Sequence, residues 1–220
     1  MTKNNLNHYD KLAVLFRYPG ADFPEEVKNI EKFLEQTYPE TIPVFSEFAN
    51  YVYSSTRETL EEIYTRTFDV QAITTLDLGY VLFGDDYKRG ALLANLSKEH
   101  QNANNDCGKE LADNLSNLLT LLPKLTDAEL QNELVGEIIL PALFKIIEEF
   151  KTETVNLKNK IYKKQHKTII EQSDNYRRIY RAPLAALYEI LKKDFGFNDP
   201  VNNEIENSFT KSITTEIKID

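Results

Sequence analysis

Apolar side chains recur every three to four residues along most of the first 150 positions, the spacing that lines them up on one face of an α-helix. Tyr9, Leu12, Ala13 and Phe16 make the first such face, and Pro19 closes the segment. A second helix is predicted with Asp22 as N-cap, Pro24 in its first turn and Val27, Ile30 and Leu34 as its stripe, ending before Pro39. After Pro43, the stripe Val44, Phe45, Phe48 and Val52 predicts a third. Ser55 and Glu58 stand at capping-box spacing and open a fourth, with Leu60, Ile63, Tyr64 and Thr67 facing inward.

The run AITTLDLGYVLFG predicts a shorter apolar helix, and GDDYKRG a loop leading to a helix through Leu92, Leu93 and Leu96. Leu111, Leu115, Leu118, Leu119 and Leu122 form the most regular stripe, ending at Pro123. Thr126 with Glu129 repeats the capping-box signature, ahead of Leu130, Leu134 and Ile138. Pro141 is expected to kink or restart that helix before Leu143, Phe144, Ile147 and Phe150. Amphipathic helices in succession, without alternating strands, predict an all-α protein built as a single multi-helix bundle, with residues 1–150 as its core.

Further along, the pattern changes. Residues 151–173 are basic and poor in apolar side chains, which suits a solvated helix or a connector. Residues 174–195 return to amphipathic spacing and predict a final helix packed on the core, with Pro183 as a kink or new start. From 196 to 220 the chain is polar, and although SITTEIKID alternates at strand spacing, one such segment lacks a partner and is expected to be a loosely held tail.

Composition agrees with a folded helical chain: 41% hydrophobic and 28% charged residues, with only seven glycines and eight prolines among 220 positions. The charge is unevenly spread. Residues 1–150 carry 13 basic and 25 acidic side chains, residues 151–193 carry 11 and 4, and the rest 2 and 6. An acidic body repels nucleic acid and attracts a basic partner, unless the acidity serves only solubility. The opening MTKNNLNHYDKL lacks an apolar run of signal-peptide length, and no segment approaches the ~20 apolar residues of a membrane helix. With the single cysteine, Cys107, this leads us to expect a reducing, cytoplasmic setting without stable membrane association.

Catalytic motifs are not found. His8, His100 and His166 lie far apart, none follows a glutamate by three residues, and each reads as a solvated surface residue. Gly108-Lys109 is followed by Glu110 instead of Ser or Thr, and Gly79, Gly84 and Gly90 miss the dinucleotide-binding spacing. No catalytic residue, metal site or cofactor is therefore expected.

Residues 64–96 are chemically dense. Tyr64, Phe68, Tyr80, Phe83 and Tyr87 are interspersed with Asp69, Asp77, Asp85, Asp86 and Arg89. On one reading the rings are core and the aspartates caps. On the other, the rings line a groove for the apolar face of a peptide, and Asp69, Asp85, Asp86, Glu110 and Asp113 receive its basic residues, while Arg89 ties the loop to a neighbouring carboxylate. On a helix, Asp113 falls off the leucine stripe and is expected to reach solvent or the groove.

YTRTFDV, then LGYVLFGDDYKRGALL, then KELADNLSNLLTLL resemble the NarJ-type nitrate reductase assembly chaperones, within the wider TorD/DmsD group of redox-enzyme maturation proteins. The resemblance covers about residues 9–150 and rests on Phe68-Asp69 and Tyr87-Lys88-Arg89-Gly90 in order. It implies an all-helical chaperone that binds the apo form of a molybdopterin-containing reductase catalytic subunit at its N-terminal segment, before cofactor insertion. The family's Pro-Asp-His element falls on Ala112, Asp113 and Asn114, of which Asp113 alone is kept. Two rival functions stand beside it: a permanent helical scaffold or adaptor subunit of a redox complex, and a small hydrolase.

Overall fold

A computed structural model describes residues 6–70, 72–150 and 178–198, and within these the chain is all-α. Helix α1 (His8–Ala13) runs into a 3-10 turn at Val14–Phe16, and the predicted face Tyr9, Leu12, Ala13 and Phe16 is wholly buried. Helix α2 (Phe23–Thr37) packs against α3 (Ile42–Ser54), with Val27, Ile30, Leu34, Phe45, Phe48 and Val52 buried between them and the rest of the core. Val44, expected on the inward face, is exposed, and Ala49, which the stripe left out, is buried.

Helix α4 (Arg57–Phe68) is capped by Thr56, one residue later than expected. The Ser55 hydroxyl instead donates to the Tyr51 carbonyl, closing the end of α3, while Thr56 Oγ1 accepts from the Thr59 amide. AITTLDLGYVLFG is helical only over its second half. The amides of Ile73 and Thr74 donate to the Thr67 carbonyl, so the chain stays irregular until α5 (Leu78–Phe83). Gly84, at φ +62°, ends α5 in a conformation L side chains rarely adopt. GDDYKRG is then half loop and half helix, since Asp86 caps α6 (Tyr87–Asn102) and Gly90 lies inside it.

The leucine stripe also shortens. Helix α7 (Leu115–Leu121) starts only after Asn114, and Leu111 is 48% exposed in the preceding loop. All seven residues of α7 are buried, which makes it the central helix of the bundle. Asp127 caps α8 (Ala128–Glu133) in place of Thr126, its carboxylate accepting from the amides of Glu129 and Leu130. A π-helical stretch, Leu134–Ile139, leads directly into α9 (Leu140–Glu149). Pro141 has no amide hydrogen for a regular turn, and the widened turn before it absorbs that mismatch without breaking the helix. Phe144 is 48% exposed, and Ile146 is buried in its stead.

Helix α10 (Arg181–Phe195) packs against α3 and α9, with Pro183 in its first turn as a new start and Leu184, Leu187 and Leu191 almost fully enclosed. The predicted final helix thus belongs to the core itself, which is one continuous cluster from Leu6 to Leu191. Gly196, at φ +70°, turns the chain so that the Phe197 ring lies against Gly136, where a Cβ would come within 2.7 Å of it. The basic stretch 151–173 and the tail beyond residue 198 fall outside the described residues. Among the described residues no helix is long and apolar enough to cross a membrane.

Candidate functional site

Two short extended stretches, each just ahead of a helix, meet at an isolated antiparallel bridge between Asp77 and Asn114. The Leu78 amide donates to the Asp113 carbonyl at 2.9 Å and the Leu115 amide to the Leu76 carbonyl at 2.8 Å. The starts of α5 and α7 are thereby held side by side. Asn114 caps α7, accepting from the Ser116 amide, and its own amide reaches Asp77. Asp77 occupies the cap position of α5, but its carboxylate makes no cap bond and faces Arg89 instead.

Arg89, in the first turn of α6, spans the two aspartates. Its Nη2 lies 3.1 Å from Asp77 Oδ2 and its Nε 3.2 Å from Asp113 Oδ2. The guanidinium also sits 5.2 Å from the centre of the Tyr80 ring, a cation–π stack on an exposed aromatic. The Asp113 side chain is completely enclosed, contrary to the expected solvent or groove position, because residue 113 lies in the turn just before the bridge, its carbonyl held by the Leu78 amide, and not in a helix. Gly79 leaves the room it needs, since a Cβ there would lie 2.6 Å from Asp113 Oδ2. Burial, then the nearby Asp77 charge, push the Asp113 carboxyl above its ordinary value, against the pull of Arg89. The second carboxylate oxygen of Asp113 has no hydrogen-bond partner.

The five rings singled out in the sequence do not line one groove. Tyr64, Phe68 and Tyr180 pack edge to face, with Phe68 and Tyr180 only 4.9 Å apart, Phe48 lies tilted against Tyr180, and the Tyr64 hydroxyl donates to the Phe16 carbonyl. Phe68 is core, and Tyr64 and Phe83 are half-buried against it. Tyr80 and Tyr87 stay exposed, at 44% and 66%. Asp69, Asp85 and Glu110 are exposed, and Asp86 is occupied in capping α6 through the Lys88 amide. The Tyr64 hydroxyl is pushed far up in pKa, chiefly by burial and then by the negative charge of Glu110, Asp69 and Asp77, so the acidic side chains do gather on this side of the molecule. Asn114 is both buried and committed to its cap.

Asp77 and Gly79, which complete the arrangement, are not among the site residues expected from the sequence. The signal for Asp77 was its place one residue before an apolar helix. Gly79 gave none, because its neighbour Asp113 is 34 residues away in the chain. Among the described residues no group of three or more His, Cys, Asp or Glu side chains is placed to hold a metal ion.

The histidines depart from expectation as well. His100 is 3% exposed and hydrogen-bonded on both ring nitrogens. His8 lies 2.8 Å from Asp194, whose carboxylate also accepts from the hydroxyls of Tyr9 and Tyr38. A cavity of about 430 Å³ opens beside this cluster, between Phe33, Lys11 and Tyr38. His166 is outside the described residues. In comparisons with known proteins, no family, no curated protein and no solved structure matches the chain.

Proposed function

We propose that this protein is a cytoplasmic assembly chaperone of the NarJ and TorD type, which binds the immature catalytic subunit of a molybdopterin-dependent reductase at its N-terminal segment before or during cofactor insertion. The observation that carries the reading is the Arg89 fork between Asp77 and Asp113, beneath the exposed Tyr80 ring and two residues from exposed Tyr87. It joins two of the segments on which the resemblance rests, and it does so on a surface that has apolar rings and carboxylates together. Tyr80, Tyr87, Leu111 and half-buried Phe83 suit the apolar face of a client helix, and Asp69, Asp85 and Glu110 suit its basic residues. Arg89, Asp113 and Asn114 act from below, by holding that surface in shape. The chaperone works by binding, without a catalytic step, cofactor or nucleic acid.

Deleting the gene is expected to leave the client reductase present but lacking molybdenum cofactor. Tagged protein is expected to capture the apo subunit and to release it on maturation. Full cofactor occupancy in the deletion strain would sink the proposal, and retention of the mature enzyme would favour a permanent subunit.

A further inference from the structure

The loop from Ala103 to Asn114, which ends at Asp113, is held from inside by buried polar side chains that the ion pairs do not use. His100, in the last turn of α6, places Nε2 3.0 Å from the Ala112 carbonyl oxygen and Nδ1 2.9 Å from the Asn105 side-chain nitrogen. A carbonyl only accepts and an amide NH2 only donates, so Nε2 carries the hydrogen and Nδ1 is bare. The ring is neutral, in one tautomer chosen by its partners.

Asn105 cannot be turned round to suit another state. Its oxygen accepts from Lys124 Nζ at 2.6 Å, and its nitrogen also reaches the Asn117 carbonyl and Thr120 Oγ1. Asn117 in turn donates to the carbonyls of Leu111 and Cys107. The carbonyls of residues 107, 111 and 112 are thus each gripped by a side chain from α6 or α7, immediately before Asp113.

We propose that His100 is the positioning residue of the Asp113 site: by holding the Ala112 carbonyl it sets the peptide that leads into Asp113, and a second proton on the ring unseats it by breaking its bond to Asn105. That proton on Nδ1 would point at the hydrogens of the Asn105 amide and add a charge beside Lys124, the cation that faces the ring from the turn after α7. Burial lowers the His100 pKa, the bond to Ala112 pulls it up, and Lys124 lowers it again. The doubly protonated ring therefore forms only in acid. The inference extends the client-site reading, but its test needs no client.

Amide hydrogen exchange on the full chain reads the bridge directly, through the Leu78 amide bonded to Asp113 and the Leu115 amide bonded to Leu76. Amides of Leu34 and Val52, in α2 and α3, report global opening. His100→Leu loses both ring bonds, whereas His100→Gln keeps a donor for Ala112 and an acceptor for Asn105. At neutral pH the leucine variant is expected to speed exchange at Leu78 and Leu115 about tenfold relative to Leu34 and Val52, as loss of one hydrogen bond of ordinary strength would. The glutamine variant restores protection. Acidifying the wild type through the imidazole titration reproduces the local effect after correction for intrinsic exchange, and the glutamine variant lacks it. Equal acceleration at all four amides, or failure of glutamine to rescue, overturns the proposal. So does a ring ¹⁵N spectrum of the wild type showing hydrogen on Nδ1 at neutral pH, a measurement that requires no variant to fold. Absence of binding by any client peptide would count against the proposed function alone.

Discussion

Gly79 sets two effects of opposite sign against each other. In a helix, alanine is better than glycine by about 1 kcal/mol. Here the added methyl would meet the Asp113 carboxylate at 2.6 Å, and crowding of that kind costs about 1–3 kcal/mol. Gly79→Ala is therefore expected to lower the melting temperature, and a rise would show that Asp113 moves freely. Asp113→Ala, which as a surface change would leave unfolding untouched, is now expected to destabilise by about 2 kcal/mol, because it empties an enclosed position and removes one partner of Arg89. Arg89 keeps Asp77, so the loss stays below that for a wholly orphaned charge. Asp113→Asn preserves the shape and is expected to cost less than the alanine change. Tyr87→Ala, at a 66% exposed position, is expected to melt within a few degrees of wild type while weakening client binding by about 1 kcal/mol or more, compared by binding isotherm.

Helices α1 and α10 are distant in sequence and joined by one carboxylate. Asp194 accepts from His8, Tyr9 and Tyr38, and Lys193 beside it pairs with Glu40. Burial alone would raise the Asp194 carboxyl, but the hydrogen bonds from His8, Tyr38 and Tyr9, with the His8 charge, hold it below the ordinary value. A depressed folded-state pKa means the stabilisation is complete above the unfolded value, about 3.9, and is lost as pH falls through the folded one. Wild type is thus expected to lose more stability than Asp194→Asn on acidification below about pH 4. Parallel curves through the acid range would show that the carboxylate is not specially stabilised. The same logic at this scale explains the displaced caps. Ser55 serves the end of α3, which leaves the start of α4 to Thr56.

For the molecule as a whole, the acidic body of residues 1–150 defines a long-range field that favours a basic partner. Affinity for a basic client segment is expected to fall as salt rises from about 0.05 to 0.5 M, since exposed charges are screened over about 10 Å at 0.1 M. A salt-independent isotherm would make the contact one of Tyr80, Tyr87 and Leu111 with an apolar helix face, and would return the acidic surface to a solubility role.

What the sequence determined by itself is what local periodicity and chain-terminating residues can carry. The all-α class, the inward faces of α1, α2 and most of α3, and the start of α10 near Pro183 follow from spacings within four residues and from proline's missing amide hydrogen, whereas Pro141 was accommodated by a widened turn that no local spacing announced. The link of Arg89 to a carboxylate was foreseeable from the density of aspartates around it. Which carboxylates it would be was not, because Asp77 and Asp113 meet only through the bridge that stops the leucine stripe at Asn114. The division of one aromatic stretch into core Phe68 with half-buried Tyr64, and exposed Tyr80 and Tyr87, depends on where Tyr180 and Phe48 arrive from elsewhere in the chain. Likewise His8 and His100 look solvated beside their sequence neighbours, yet His8 is part-buried against Asp194 and His100 is enclosed with its ring on the Ala112 carbonyl. Burial and hydrogen-bond partnership across long separations are properties of packing, which no window of neighbouring residues contains.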